Sequence, residues 1–271
     1  MRRSWWKLVL VLMGALGVTA LGIDAADTMQ GSRFTLLASL LQSSSVSVCP
    51  TGMVPLKSET TTICVDVYEA SVGTNCRITS PSSVQDTLAN AGQKDCVPAS
   101  KPNVLPWRFV PYRVAEQLCA RAGKTLITPA VWQQAALGTT DSESVCPMSG
   151  SLLPSGSRTG CVSGSGVFDM VGNVWELVDG EVINGNWNGL VLPTSGYVAA
   201  VNDAGLPTAT AGIPNQIYNA DYFWSEAIGT YAMMRGGYYG GRTDAGIYST
   251  QAAMAEDFAG SAVGFRCMKV L

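Results

Sequence analysis

Asp169 and Glu176 bracket a short turn in the run Asp169-Met170-Val171-Gly172-Asn173-Val174-Trp175-Glu176. Two carboxylates around a turn, supplemented by the backbone carbonyls of Gly172 and Val174, are oxygen donors suited to a hard cation such as Ca²⁺. The same carboxylates could equally be buried and pair with arginines, Arg235 and Arg266 being the candidates. Either way Gly172-Asn173 must turn tightly, and Gly and Asn are the residues that tolerate φ > 0.

What the chain lacks narrows its chemistry further. It has no histidine, so Ser-His-Asp and Cys-His catalysis are excluded. Without histidine or a C-x-x-C pair, zinc is a weak reading of its 8 cysteines. Asp66, Glu69, Asp179, Glu181, Asp221, Glu226, Asp244, Glu256 and Asp257 show no spacing that marks an acid/base pair, and each is expected to be a charged surface residue. A formal net charge of −3, with no basic run after the first seven residues, argues against nucleic acid as a partner. The domain reads as catalytically empty.

An even cysteine count in an exported chain fits four disulfides. Three local loops suggest themselves among the possible pairings: Cys49 with Cys64, Cys76 with Cys96, and Cys146 with Cys161. Export is indicated by Met1-Arg2-Arg3 and Lys7 ahead of the uncharged run Leu8 to Ile23. Residues 1–25 are read as a signal peptide or an N-terminal membrane anchor, the chain's one contact with a membrane. Residues 26–47, ending in Ser43-Ser44-Ser45, are read as a stalk.

Several elements must position these residues. Alternating apolar residues predict a hairpin from Cys49–Leu56 and Thr62–Glu69. Pro111 to Ala122 has helical spacing, and a second helix is marked by Thr128 as N-cap, Pro129 at its first position and Gly138 beyond its end. Past Val178 the chain is rich in Gly, Asn, Thr and Ala, which predicts surface loops over a small scaffold.

The run Asp169–Glu176, followed by Arg235-Gly236-Gly237 and by Gly264-Phe265-Arg266-Cys267, resembles the formylglycine-generating-enzyme (sulfatase-modifying factor) superfamily. The resemblance covers about Val48 to Leu271 and implies an α+β, C-type-lectin-like fold, loop-rich and stapled by disulfides. It implies calcium at Asp169, Gly172, Val174 and Glu176. It also implies a long-range bridge between Cys119 and Cys267. The family's oxidases bind copper through two cysteines after their Gly-Gly, and those places hold Gly241 and Gly246 here. Neither copper nor the histidine-bound iron of other relatives is therefore expected.

The spacing Arg235-Gly236-Gly237-x-Tyr239-x-x-x-x-x-Ala245-Gly246-x-Tyr248 further resembles the variable region of diversity-generating-retroelement proteins, which are lectin-fold ligand binders. Their randomised Asn codons never yield Trp, Lys, Gln, Glu or Met, and Tyr238 through Thr250 contain none of these. The resemblance implies a variable region over about 221–267, with Phe223, Trp224, Tyr238, Gly240, Gly241, Arg242, Asp244 and Tyr248 as ligand contacts. Tyr, Trp and Arg are the types enriched at recognition hot spots. The expectation is an exported, non-catalytic receptor or adhesin for an extracellular protein or glycan. The alternatives are a superfamily enzyme with an unrecognised site or a structural cell-surface protein.

Overall fold

The expected hairpin forms as Met53–Leu56 and Ile63–Asp66 pair antiparallel, burying Met53, Leu56, Cys64 and Val65, and Cys49–Cys64 ties the residues before it to its second strand. The computed structural model describes residues 49–56 and 61–271. The predicted signal or anchor segment and the stalk lie outside these residues. The last strand, Cys267–Val270, runs antiparallel to Ile63–Asp66 and on its other edge to Thr125–Leu126, closing a four-stranded sheet. The two ends of the unit Cys49–Leu271 are thus woven into one sheet.

Among the described residues three α-helices pack around the sheets. The first, Val84–Ala91 (α1), was not foreseen; Ser83 caps it by accepting from the Asp86 amide, and Asp86 accepts from Ser82. Its signal is the Ser-x-x-Asp cap alone, since its apolar face is short. The second, Tyr112–Arg121 (α2), follows the predicted spacing and buries Val114, Ala115, Leu118 and Cys119. The third, Pro129–Ala136 (α3), starts as read, with Thr128 accepting from the Val131 amide and Pro129 in its first turn.

The region beyond Val178 is not the loop layer expected from its composition. It supplies most of a 9-stranded sheet with the order Pro207–Ala211, Gly196–Val201, Tyr222–Ser225, Thr250–Ala255, Thr230–Arg235, Trp175–Ile183, Asn186–Trp187, Leu190–Val191, and Val263–Phe265 beside Trp175–Ile183. The strands are short and rich in small residues. Their connections carry Asn184, Asn188 and Asn219 in the left-handed region, so the Asn content marks turns between strands. Alternation places Met233 in a core with Trp132, Val178, Val198 and Phe223, and Met234 in a second core with Trp107, Leu118, Leu177 and Phe265. The architecture is α+β and mostly sheet. Among the described residues no helix is long and apolar enough to cross a membrane.

All four disulfides form in the expected pairs, including Cys119–Cys267, which ties α2 to the final strand. Four bridges mark an extracellular or exported protein. The Cys119–Cys267 loop spans 148 residues against 20 for Cys76–Cys96. Loop-closure entropy therefore predicts that Cys119→Ser/Cys267→Ser loses about 4–5 kcal/mol of unfolding free energy and Cys76→Ser/Cys96→Ser about 3 kcal/mol. Denaturant titrations of the two double variants test that order, and a reversed order would refute it.

Candidate functional site

The Gly172-Asn173 turn is held from several sides. Gly172 has φ +80, and a side chain there would overlap the Pro147 carbonyl, so the position requires glycine. Asn173 has φ +53; its side chain accepts from the Leu153 amide and donates to Glu69, while its carbonyl accepts from the Tyr239 amide. The turn is therefore a junction between the opening strand and the segment after Gly237.

Behind the turn lies a buried ion pair. Arg266 donates through Nη2 to Glu176 Oε1 at 2.6 Å and through Nε to both Glu176 oxygens, and its remaining donors reach the Asp66 and Phe168 carbonyls. Trp132 of α3 donates its indole N–H to Glu176 Oε2 at 2.8 Å. Over the same indole, Arg235 lies 4.7 Å from its ring centroid and donates to Gln133 and to the Ala204, Gly205 and Ile247 carbonyls. Burial works against the Arg266 charge, but Glu176 beside it, with Glu69 and Asp169 nearby, holds its pKa up. Arg235 has weaker compensation, and burial lowers it to about 9.

The expected calcium ligands do not fit a cation cage. Both oxygens of Glu176 are engaged by Arg266 and Trp132, and Asp169 Oδ2 accepts from the Gly156 amide at 2.6 Å. The alternative stated for these carboxylates, pairing with Arg266, accounts for Glu176. Among the described residues no group of three or more acidic, histidine or cysteine side chains is arranged to hold a metal. The positive charge that a hard cation would bring is supplied here by a guanidinium.

Three acids expected on the surface are buried instead. Asp66 pairs with Lys124 at 2.5 Å, and Glu69 accepts from Ser155, Asn173 and the Val174 amide. Burial, with Asp169 and Glu176 nearby, pushes Glu69 well up from its ordinary range, and burial pushes Asp169 up to about 6. Asp221 faces Asp141 across Gly246, where any side chain would overlap both carboxyl groups. Burial raises Asp141 to about 6, and burial together with Asp141 raises Asp221 further. Asp221 Oδ1 has no partner in its unprotonated form, so a proton shared with Asp141 would satisfy both. No spacing could have revealed residues so far apart in sequence.

Five of the eight expected ligand contacts line one cleft of about 410 Å³: Trp224, Tyr238, Gly240, Gly241 and Asp244. Its floor and far wall are Trp175, Met234, Gln251, Met254 and Phe258, which sequence reading did not assign. Strand alternation could have found Met234, which points opposite to Met233. Trp175 and Trp224 meet edge to face, 5.7 Å between centroids. Arg242 does not line the cleft and is exposed at φ +49. Phe223 is a correction: it is fully buried, because the residue before Trp224 on the same strand must face the other side of the sheet. Tyr248 is likewise not in the cleft; it packs edge to face on Tyr218 at 5.1 Å, against the core.

The three sequence signatures meet in one buried cluster beside the cleft-bearing sheet. No protein-family model and no curated protein matches the chain. Among solved structures it is similar to the Major Tropism Determinant U1 variant, with 15% identity and a TM-score of 0.49 over 83% of this chain and 54% of that one. It is also similar to CarF, with 17% identity and a TM-score of 0.47 over 82% and 99% of the two chains. For Treponema denticola variable protein 1 the figures are 15% identity and a TM-score of 0.40 over 81% and 99%. These neighbours are of the two kinds that the sequence resembles, diversity-generating-retroelement variable proteins and formylglycine-generating-enzyme-like domains. The chain spans about half the length of the Tropism Determinant variants it matches.

Two outcomes follow from the buried charges. Arg266→Met leaves Glu176 without its cation and should cost about 3–5 kcal/mol of stability, whereas a calcium chelator should leave the melting temperature of the parent unchanged; a drop in chelator would restore the metal. The second outcome concerns pH. An unfolded Asp loses its proton near pH 3.9, while folded Asp141 keeps it to about 6. The stability contributed by that proton is complete below the unfolded value and lost as pH rises through about 6. Asp141→Asn does not titrate, so its melting temperature relative to the parent should rise between about pH 4 and 7. A pH-independent difference would refute the assignment.

Proposed function

We propose that the chain is an exported C-type-lectin-fold protein of the formylglycine-generating-enzyme type that binds a ligand without catalysis, through a C-terminal surface diversified by a retroelement. One observation carries this reading: the loop from Tyr238 to Ala245 is held by its backbone. Tyr239 N–H donates to Asn173 O, Arg242 N–H to Met148 O, Gly241 N–H to Tyr238 O, Asp244 N–H to Gly241 O and Ala245 N–H to Arg242 O. The side chains of Arg242 and Asp244 make no hydrogen bond that holds the loop, so they are free to change while its shape persists, whereas the Tyr238 ring also packs against the core.

The residues between and around them are constrained. Gly236 has φ +90, and a side chain there would press on the Met170 carbonyl and Trp132; Gly237 has φ +83, and its would overlap Ala245. Fixed and free positions thus interleave within one segment, which suits targeted diversification. The absence of catalysis is supported by Gly241 and Gly246 at the family's redox positions. The overlap with Asp221 and Asp141 bars a cysteine from position 246 as the site stands.

Copies of this locus from sibling cells should differ at Tyr238, Arg242 and Asp244 and agree at Gly236, Gly237, Ala245 and Gly246, with a template repeat and a reverse transcriptase nearby. Differences spread evenly from Cys49 to Leu271 would refute diversification. In the purified protein, alanine at Arg242 or Asp244 should change stability by no more than about 0.5 kcal/mol, as measured by denaturant titration.

A further inference from the structure

The cleft has a charge pattern that defines what it takes. Asp244 is the only Asp, Glu, Lys or Arg among its lining residues. Its carboxylate is partly buried and has no hydrogen-bond or ion-pair partner, since the only bonds at this residue use its backbone amide and carbonyl. Around it stand Trp224, Trp175, Tyr238 and Phe258, with Met234 and Met254 beneath. No arginine is among the lining residues; Arg108 donates to the carbonyl of Ser261, which does line it, and Arg242, two residues before Asp244, is exposed. An unpaired acid in a wall of aromatic rings, with no base to neutralise it, is an incomplete electrostatic site.

We propose that this cleft binds an arginine side chain presented on the surface of a protein partner, the guanidinium stacking on the Trp224 and Tyr238 rings and donating to the Asp244 carboxylate. This rests on the ligand-binding reading and names its ligand class. Ring faces attract a cation through their quadrupole, and a planar guanidinium is the cation that stacks and forks onto a carboxylate at the same time. A lysine ammonium would pair with Asp244 but forgo the stacking. A neutral sugar would stack but leave the half-buried carboxylate uncompensated. A volume of about 410 Å³ holds the guanidinium, its aliphatic stem and part of the flanking backbone. Asp244 also lies in the backbone-held loop, so a sibling copy with another residue there would take a different ligand.

The test is a tryptophan-fluorescence titration of the full protein with four capped probes: N-acetyl-arginine methylamide, its lysine counterpart, the neutral citrulline isostere and methyl mannoside. Saturable binding of the arginine probe is expected in the millimolar range, at least about tenfold tighter than citrulline, because the charge-assisted bond is lost in the isostere. Asp244→Asn should weaken the arginine probe by about the same factor with an unchanged melting curve, which separates loss of binding from loss of fold. Equal affinity for arginine and citrulline, an unaffected Asp244→Asn variant or absence of arginine binding would each overturn the inference. Preferential binding of methyl mannoside would overturn it too while leaving the ligand-binding reading intact. The variation pattern among sibling loci bears on that reading alone.

Discussion

The buried Arg266–Glu176 pair, sealed by the indole of Trp132, is the constraint on which the rest of the structure depends. Arg266 precedes the final strand, Glu176 sits at the start of the longest strand of the large sheet, and Trp132 belongs to α3, so one cluster joins both sheets and a helix. A pair this deep is stable only when every donor is used, and those of Arg266 reach Glu176, Asp66 and Phe168. The ring of Trp132 carries Arg235, and the adjoining Gly236 must lack a side chain because the indole and the Met170 carbonyl lie against it. The three sequence signatures are therefore parts of one buried network.

The guanidinium groups of that network engage the Asp66, Phe168, Ala204, Gly205 and Ile247 carbonyls. The Met148 and Asn173 carbonyls separately receive the amides of Arg242 and Tyr239, setting the loop's path through its backbone. Exposed side chains on a loop held in this way can be exchanged at little cost to folding.

The parts legible in the sequence were those with local or covalent signals. Thr128-Pro129 announced α3, the helical spacing of Val114 and Leu118 announced α2, and the cysteine spacing gave the three short bridges. The sheet beyond Val178 was misread because its main strands are only four to six residues long and several, such as Gly196–Val201 and Thr250–Ala255, are rich in small side chains, so little apolar alternation stands out from the Asn- and Gly-rich turns between them. Phe223 and Trp224 show the finer limit. The resemblance implied both as contacts, and only the strand's phase decides that one faces the core and the other the cleft. The buried acids were beyond reach for another reason: what permits Glu69 or Asp221 to be inside is a set of partners distant in sequence, Asn173 and Ser155 for one and Asp141 for the other.

Gly246 shows how far the site stands from redox chemistry of the kind the resemblance associates with this position. Restoring a cysteine there would place its side chain on Asp221 Oδ1 and Asp141 Oδ2, so both acids would have to move or be replaced first. Asp221 also accepts the Tyr248 amide, and Tyr248 packs on Tyr218, so removing Asp221 would loosen the edge that carries the loop. A thiolate placed between two carboxyl groups would moreover be raised in pKa and lose nucleophilicity. The acid pair around Gly246 is thus incompatible, sterically and electrostatically, with a metal-binding thiolate at the same point.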